Sequence, residues 1–234
     1  MPYSSVFVLT GAGISAESGI KTFRDKDGLW EGHSILDVAT PDSFQRNPTL
    51  VNNFYNQRRS QLLGGEVHPN PAHTALAEFE TNFNGSFNLV TQNVDDLHER
   101  AGSVSPIHIH GSLLQAKCGL CGQAFEIRTD LDHRETCASC NKAGALRPDI
   151  VWFGEMPKHT QQIEQAVYDC DLFVSIGTSA AVYPAAGYSD LARQIGAKTV
   201  ELNLEPSIKS QDFHESISGP ATQIVPQFFQ GLLK

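Results

Sequence analysis

Nowhere in the chain do apolar residues run long enough to cross a bilayer, and neither an internal repeat nor a low-complexity segment is visible. A chain crossing a membrane as helices, a repeat array or a fibre is therefore not expected. The first residues, MPYSSVFVLTGAG, contain no basic region, and the apolar run at 6–9 is too short for a secretory signal. A cytoplasmic protein is expected. Thiols stay reduced there, so its five cysteines read as metal ligands before disulfides. Positive charge is also scarce. Seventeen Lys and Arg against 26 Asp and Glu leave a net charge of −9, which repels phosphate backbones and makes nucleic acid a poor partner. Cationic, lysine-bearing partners are electrostatically acceptable. What remains is ordinary globular composition, 40% hydrophobic and 18% charged over 234 residues. That length suits one core domain carrying a smaller module.

Three apolar runs, at 6–9, 87–90 and 172–176, read as central parallel strands, and a fourth at 199–203 resembles them. None alternates cleanly, which is the mark of strands buried on both faces. Helical stretches lie between them, for example at 72–79 and 161–167. Alternation of strand and helix predicts an α/β doubly wound domain, with ligands beyond the carboxyl ends of the strands. Residues 36–72 look helical and residues 112–147 carry cysteines in mixed loop character. Both read as insertions into the nucleotide-binding core.

After the first strand, Gly11-Ala12-Gly13-Ile14-Ser15-Ala16 fits G-x-G-x-x-A. Glycines there permit a tight turn and close approach of a diphosphate, and a following helix offers unpaired N–H groups. A plain tight turn is the competing reading. The acidic residue of a dehydrogenase fingerprint, expected about 20 positions on, would fall in a polar loop around Thr22 to Trp30, so an ordinary dehydrogenase is not indicated. Cys118-x2-Cys121 and Cys137-x2-Cys140, fifteen residues apart, have the spacing of a tetrahedral zinc site. Four thiolates leave no open position, so such a metal is structural. Disulfides or a chance cluster compete with it. Lys117, Arg128, Arg134, Lys142 and Arg147 are offset by Glu126, Asp130, Asp132 and Glu135, so the module has no basic patch for nucleic acid. Cys170 reads as a core residue.

Thr91-Gln92-Asn93-Val94-Asp95 directly follows a strand and should face the crevice. His108 and His110 are two apart and share one face of an extended segment, with Ile107 and Ile109 on the other. On pattern alone, core or chelating roles for this pair compete with a base. His73 and His98 read as structural residues on helices.

Taken in order, Gly11 to Ser15, Ser18-Gly19-Ile20, Phe23-Arg24, Thr91 to Asp95, His108-Ile109-His110-Gly111, the cysteine quartet, Phe153-Gly154-Glu155 and Gly177-Thr178-Ser179 resemble the sirtuin family over nearly the whole chain. The resemblance implies a Rossmann-like parallel-sheet large domain (1–35, 73–111 and 148–234). The small domain would combine a helical module (36–72) with a zinc-binding module (112–147). It implies NAD as co-substrate and one structural zinc ion. Implied NAD contacts are Gly11, Ala12, Gly13, Ile14, Phe23, Arg24, Gln92, Asn93, Val94, Asp95, Gly177, Thr178, Ser179, Asn203, Leu204, Glu205 and Ala221. His110 is implied as catalytic base, with Asn93 and Asp95 about the nicotinamide ribose. Val151, Trp152, Phe153 and Gly154 would pair with an acyl-lysine peptide as an extended strand. The products would be free lysine, nicotinamide and O-acyl-ADP-ribose.

Asn47 is a good cap and Pro48 suits the first turn of a helix carrying Tyr55 and Arg58 on one face. An Arg fork beside a phenol suits a carboxylate. On pattern alone, a solvated face bearing Arg58 and Arg59 is favoured. Tyr-x-x-Arg at this place resembles the class III sirtuins, which implies removal of succinyl, malonyl or glutaryl groups besides acetyl. Acylated-lysine proteins are the expected partners of a monomer with no membrane contact. Mono-ADP-ribosyl transfer, NAD sensing without turnover and a zinc-ribbon adaptor are the competing functions.

Overall fold

The computed structural model describes residues 3–21, 29–30 and 32–234. In chain order its strands are β1 (Ser5–Thr10), β2 (Leu29–Trp30), β3 (His33–Ser34), β4 (Ser86–Thr91), β5 (Ile107–His108), β6 (Gly111–Cys118), β7 (Ala124–Glu126), β8 (Leu146–Ile150), β9 (Leu172–Ile176), β10 (Lys198–Asn203) and β11 (Glu215–Ser218). The α-helices are α1 (Ile35–Val38), α2 (Pro41–Arg46), α3 (Pro48–Leu63), α4 (Pro71–Asn82), α5 (Leu97–Ala101), α6 (Thr160–Tyr168), α7 (Tyr188–Gln194) and α8 (Ala221–Leu232).

The four apolar runs become β1, β4, β9 and β10. They lie in one six-stranded sheet of order β11-β10-β9-β1-β4-β5, and every pairing in it is parallel. Sequence patterning does not mark the two edges, because β5 has two residues and β11 is mostly polar and exposed. One face packs Val6, Val8 and Val174 against Leu76 and Phe79 of α4 and Val225 and Phe229 of α8. The other packs Phe7, Leu9 and Phe173 against Ile163 and Val167 of α6 and Ala192 of α7. Burial on both faces is what removes alternation from these strands. The chain proceeds from β1 towards β4 on one side and from β9 towards β10 on the other. The order therefore reverses between β1 and β9, and the loops leaving those two strands bound the crevice where such sheets take ligands.

Helices α1–α3 pack on one another, and β7, β6 and β8 form a separate antiparallel sheet. Helix α4 belongs with the large sheet from its cap onward. Asn70 accepts from Ala72 N at 2.9 Å and donates to Ile14 O at 2.8 Å and Ser18 Oγ at 2.9 Å. The expected boundary at 72–73 falls inside this helix.

Helix α3 begins as its sequence predicts, with Asn47 Oδ1 accepting from Leu50 N at 3.0 Å and Pro48 in the first turn. Its two arginines separate. Arg59 is 1% exposed, which corrects the reading of a solvated Arg58–Arg59 face. Its Nε donates to Leu113 O at 2.8 Å, and Nη1 donates to Asn56 Oδ1 at 2.7 Å and Thr129 O at 3.3 Å. Asn56 in turn exchanges hydrogen bonds with Leu131, accepting at 2.9 Å and donating at 3.1 Å. Adjacent residues on a helix point about 100° apart, so Arg59 reaches the zinc-module chain while Arg58 lies half-buried with its guanidinium carbon 4.5 Å over the Phe54 ring. Arg59→Ala should lower stability by about 2–4 kcal/mol, since buried carbonyls lose a charged donor; urea denaturation measures this, and Gln57→Ala on the exposed face should have little effect.

Candidate active site and metal centre

The two loops at the switch point meet through glycine. Gly11 N donates to Ile176 O and Gly13 N to Gly177 O, both at 2.9 Å. A Cβ on Gly13 would stand 2.7 Å from Gly177 Cα, and one on Gly177 would stand 2.5 Å from Ile14 N. Gly177 also has φ 62°, in the left-handed region. The residues after Gly11 form a short 3-10 helix, Ala12–Ser18. Ile14 N bonds Gly11 O at 3.1 Å. The sequence reading expected unpaired N–H groups here. Those of Gly11, Gly13 and Ile14 are instead spent within the protein, so loop-on-loop packing is itself a reason for these glycines.

The segment from His108 to Leu113 stitches the loop after β4 in place. Four consecutive carbonyls of that loop are captured. Thr91 O accepts from Ile109 N at 3.0 Å, and Val94 O from Leu113 N at 2.8 Å. Between them, Gln92 O accepts from His110 Nδ1 and Asn93 O from His108 Nδ1, both at 3.1 Å. Ile109 points away into the core and is fully buried. A carbonyl can only accept, so His110 Nδ1 carries the proton and Nε2 presents a lone pair. Burial pushes the His110 pKa below its ordinary value, against the opposing hydrogen bond to Gln92. The ring is thus held neutral.

On the other side of the loop lies a buried polar cluster that sequence reasoning did not assign. Asn93 Nδ2 donates to Ser15 Oγ at 3.1 Å, and Ser15 Oγ donates to Asp95 Oδ2 at 3.1 Å. Asn70 N donates to His73 Nδ1 at 3.3 Å, which leaves the His73 proton on Nε2, 3.4 Å from Ser15 Oγ. Burial lowers the His73 pKa to about 4. Burial raises that of Asp95 to about 6, partly offset by hydrogen bonds from Leu97 N and Ser15. His73, read as a structural helix residue, therefore orients Ser15 beside Asn93 and Asp95. The available signal was Asn70-Pro71, an N-cap pattern with His73 three residues on.

Of the other predicted nucleotide residues, Thr178 is buried with Oγ1 3.0 Å from Ser175 Oγ, and Ser179 is exposed. Asn203 Nδ2 donates to Thr178 O at 2.8 Å and its Oδ1 accepts from Leu204 N at 3.1 Å, tying the β9 and β10 loops together. Leu204 and Glu205 are exposed, Ala12, Gln92 and Val94 are half-buried, and Ala221 starts α8. Phe23 and Arg24 lie outside the described residues.

Tyr55 is fully buried and its hydroxyl accepts from Trp152 Nε1 at 3.0 Å. Burial pushes its pKa up, so the phenol keeps its proton. The strand β8 ends at Ile150, Val151 and Trp152 lie in no strand, and Phe153 and Gly154 form a turn, with Gly154 at φ 90°. Val151 N bonds His110 O at 2.9 Å, and Phe153 N bonds Ala39 O at 3.0 Å. Glu155 closes the turn by accepting from Trp152 N at 2.9 Å and from Arg147 through both oxygens, at 2.6 and 2.9 Å. A cleft of about 550 Å³ lies against Leu89, Glu99, His108, Asp149 and Lys158.

The four cysteines of the quartet converge. Their Sγ atoms all lie within 4.8 Å of one another, with Cys118–Cys140 and Cys121–Cys137 each at 3.8 Å. The edge of a tetrahedron with Zn–S of about 2.3 Å is about 3.8 Å, and none of the four is in a disulfide. The donor set fits one structural zinc ion. Cys170 is buried in the core.

Fold and site together define a nucleotide-binding α/β protein with an inserted thiolate metal module. The Sir2 family model matches residues 11–184, and the chain belongs to the Sir2 family. A Vibrio cholerae protein named NAD-dependent protein deacylase is 52% identical over all of this chain and 95% of its own length. An Escherichia coli K12 protein of the same name is 53% identical, over 98% of this chain and 82% of its own. Among solved structures, a Sir2 homologue in complex with NAD aligns with a TM-score of 0.88 at 36% identity, over 100% of this chain and 92% of that one. A Sir2–p53 peptide–NAD complex aligns at 0.80 with 26% identity, covering 98% and 94%.

Metal analysis of the purified chain should find one zinc per molecule. Cys137→Ser should lose it together with the near-ultraviolet signature of the folded module.

Proposed function

We propose that this chain is an NAD-dependent protein-lysine deacylase acting on acetyl-lysine and, through Tyr55 and Arg58, on lysines bearing carboxylated acyl groups. The observation that carries the reading is the His110 ring, whose Nδ1 is committed to Gln92 O and whose Nε2 stands as a neutral acceptor. When bound, NAD supplies an ADP-ribosyl group with a cationic nicotinamide as leaving group. Asn93, Asp95 and Ser15, bonded to one another, orient the ribose end. His110 Nε2 takes a proton from a ribose hydroxyl. Gly11 to Ile14, Gly177 to Ser179, and Asn203 border the remaining nucleotide. Residues 151–154 lie beside His110 through the Val151–His110 backbone bond, which suits a peptide laid along them.

Tyr55 supports the acyl assignment as a phenol held neutral and oriented by the Trp152 indole. Arg58, one turn further along α3, supplies the cation for a carboxylate. Protein partners in a reducing cytoplasm, met by a monomer, complete the proposal. Unpaired thiols and a charge of −9 support it. No helix among the described residues is long and apolar enough to cross a membrane.

Mass spectrometry of acetyl- and succinyl-peptides with and without NAD tests the activity; peptides left intact in the presence of NAD refute it. His110→Ala should cut turnover at least about 100-fold while zinc content and the unfolding midpoint are retained. In the wild type, kcat should fall as pH drops through the depressed imidazole pKa, below the ordinary 6.5, because protonation removes the base. Arg58→Met should lower kcat/KM for the succinyl-peptide about 10-fold or more and spare the acetyl-peptide; equal losses on both substrates refute the acyl assignment.

A further inference from the structure

His108 and His110 bind adjacent carbonyls of one loop, and the second ring nitrogen of His108 has a carboxylate opposite it. The far nitrogen of His108 stands 2.7 Å from Glu99 Oε1 on α5. Its near nitrogen stands 3.1 Å from Asn93 O. A carbonyl oxygen and a carboxylate oxygen are both acceptors, so only the doubly protonated ring satisfies the two. Burial acts against that charge, but the Glu99 hydrogen bond and charge, the Asn93 carbonyl and the Asp95 charge outweigh it, and the His108 pKa is raised.

Asn93 is otherwise held at its N–H by Thr91 Oγ1 at 3.0 Å and at its side chain by Ser15. Its carbonyl is the remaining handle on the peptide plane between Asn93 and Val94. We propose that His108, charged and braced by Glu99, is a positioning residue for the deacylation reaction, fixing the Asn93 peptide and with it the Asn93 and Asp95 side chains. This inference rests on the deacylase reading above. His108 acts through the loop while His110 does the proton transfer, and the partner of the second nitrogen separates the two roles.

Other titratable groups lie near the ring. His98 lies on α5 behind it and is held well below its ordinary pKa by burial and by neighbouring His73 and His108. The 550 Å³ cleft adds Glu80 of α4, Asp149 of β8, and Lys158 and His159 ahead of α6. Lys158 is paired with Asp149, so Glu99 is the acceptor in hydrogen-bonding contact with the ring. Because the folded-state pKa is raised, the clamp is complete below that value; as pH rises through it the ring keeps a single proton, which cannot serve Asn93 O and Glu99 together, and the clamp is weakened.

The test uses the zinc-loaded full chain with acetyl-peptide at saturating NAD, in wild type, His108→Ala, His108→Asn and Glu99→Gln, across mildly acidic to alkaline pH. His108→Ala should lose about 10- to 100-fold in kcat with little change in peptide KM, as a misplaced reacting group does. An Asn amide nitrogen overlies Nδ1 and donates to the same carbonyl, so His108→Asn should restore most of that loss. It should also abolish the alkaline fall in kcat expected of the wild type. Glu99→Gln should move that fall to lower pH, because the raising charge is gone. A kcat for His108→Ala within about twofold of wild type, an Asn variant no better than Ala, or an alkaline limb unmoved by Glu99→Gln each overturns the proposal. Should the Ala variant fail to fold, the Asn and Gln variants decide. A wild type inert on every acyl-peptide refutes the deacylase reading itself and this inference with it.

Discussion

Four consecutive carbonyls, from Thr91 to Val94, are turned toward a single segment and captured there by Ile109 N, His110, His108 and Leu113 N. A loop at the end of a parallel strand has no ladder to hold it, and its buried polar groups cost free energy unless paired. Pairing all four to one side forces the side chains of Asn93 and Asp95 to the other, where Ser15 receives them. The same bonds choose the His110 tautomer. Orientation of the loop and choice of the His110 tautomer are thus one event, set by the contact of residues 108–113 with the end of β4.

The opposite wall of the crevice depends on an absence of side chains. Gly11, Gly13 and Gly177 approach so closely that a single Cβ would collide with backbone, and the hydrogen bond from Gly13 N to Gly177 O locks the β1 and β9 loops at the point where strand order reverses. Beyond the crevice, Arg59 joins the helical and zinc modules from inside, with the quartet of thiolates ordering a segment whose own apolar cluster is small, namely Ala116, Ile127, Leu131 and Leu146 with two of the cysteines. A metal supplies there what a core of this size cannot.

Much of this was legible residue by residue. Apolar runs without alternation identified β1, β4, β9 and β10, because burial on two faces leaves that trace in any sequence. Asn47-Pro48 marked the start of α3 through cap chemistry alone. The C-x2-C pairs announced their convergence, since a knuckle brings its two thiolates together locally. Edge strands left no trace: β5 is two residues long and exists because β4 offers Val90 and Thr91 as partners. Arg58 and Arg59 could not be told apart, because their difference lies in what faces each one, Phe54 for the first and the carbonyls of Leu113 and Thr129 for the second.

The sequence by itself determined the class of fold, the metal module and the loops that carry chemistry, because strand burial, helix caps and paired cysteines are written in local spacing. Tertiary structure alone decided that His108 bridges Asn93 O and Glu99 while His110 meets Gln92 O, and which glycines are required by a neighbouring loop. It also decided that Ser15 and His73 meet Asn93 and Asp95 in one buried cluster. Each of these depends on a partner brought from far along the chain, and a hydrogen-bond donor has no role until an acceptor stands opposite it.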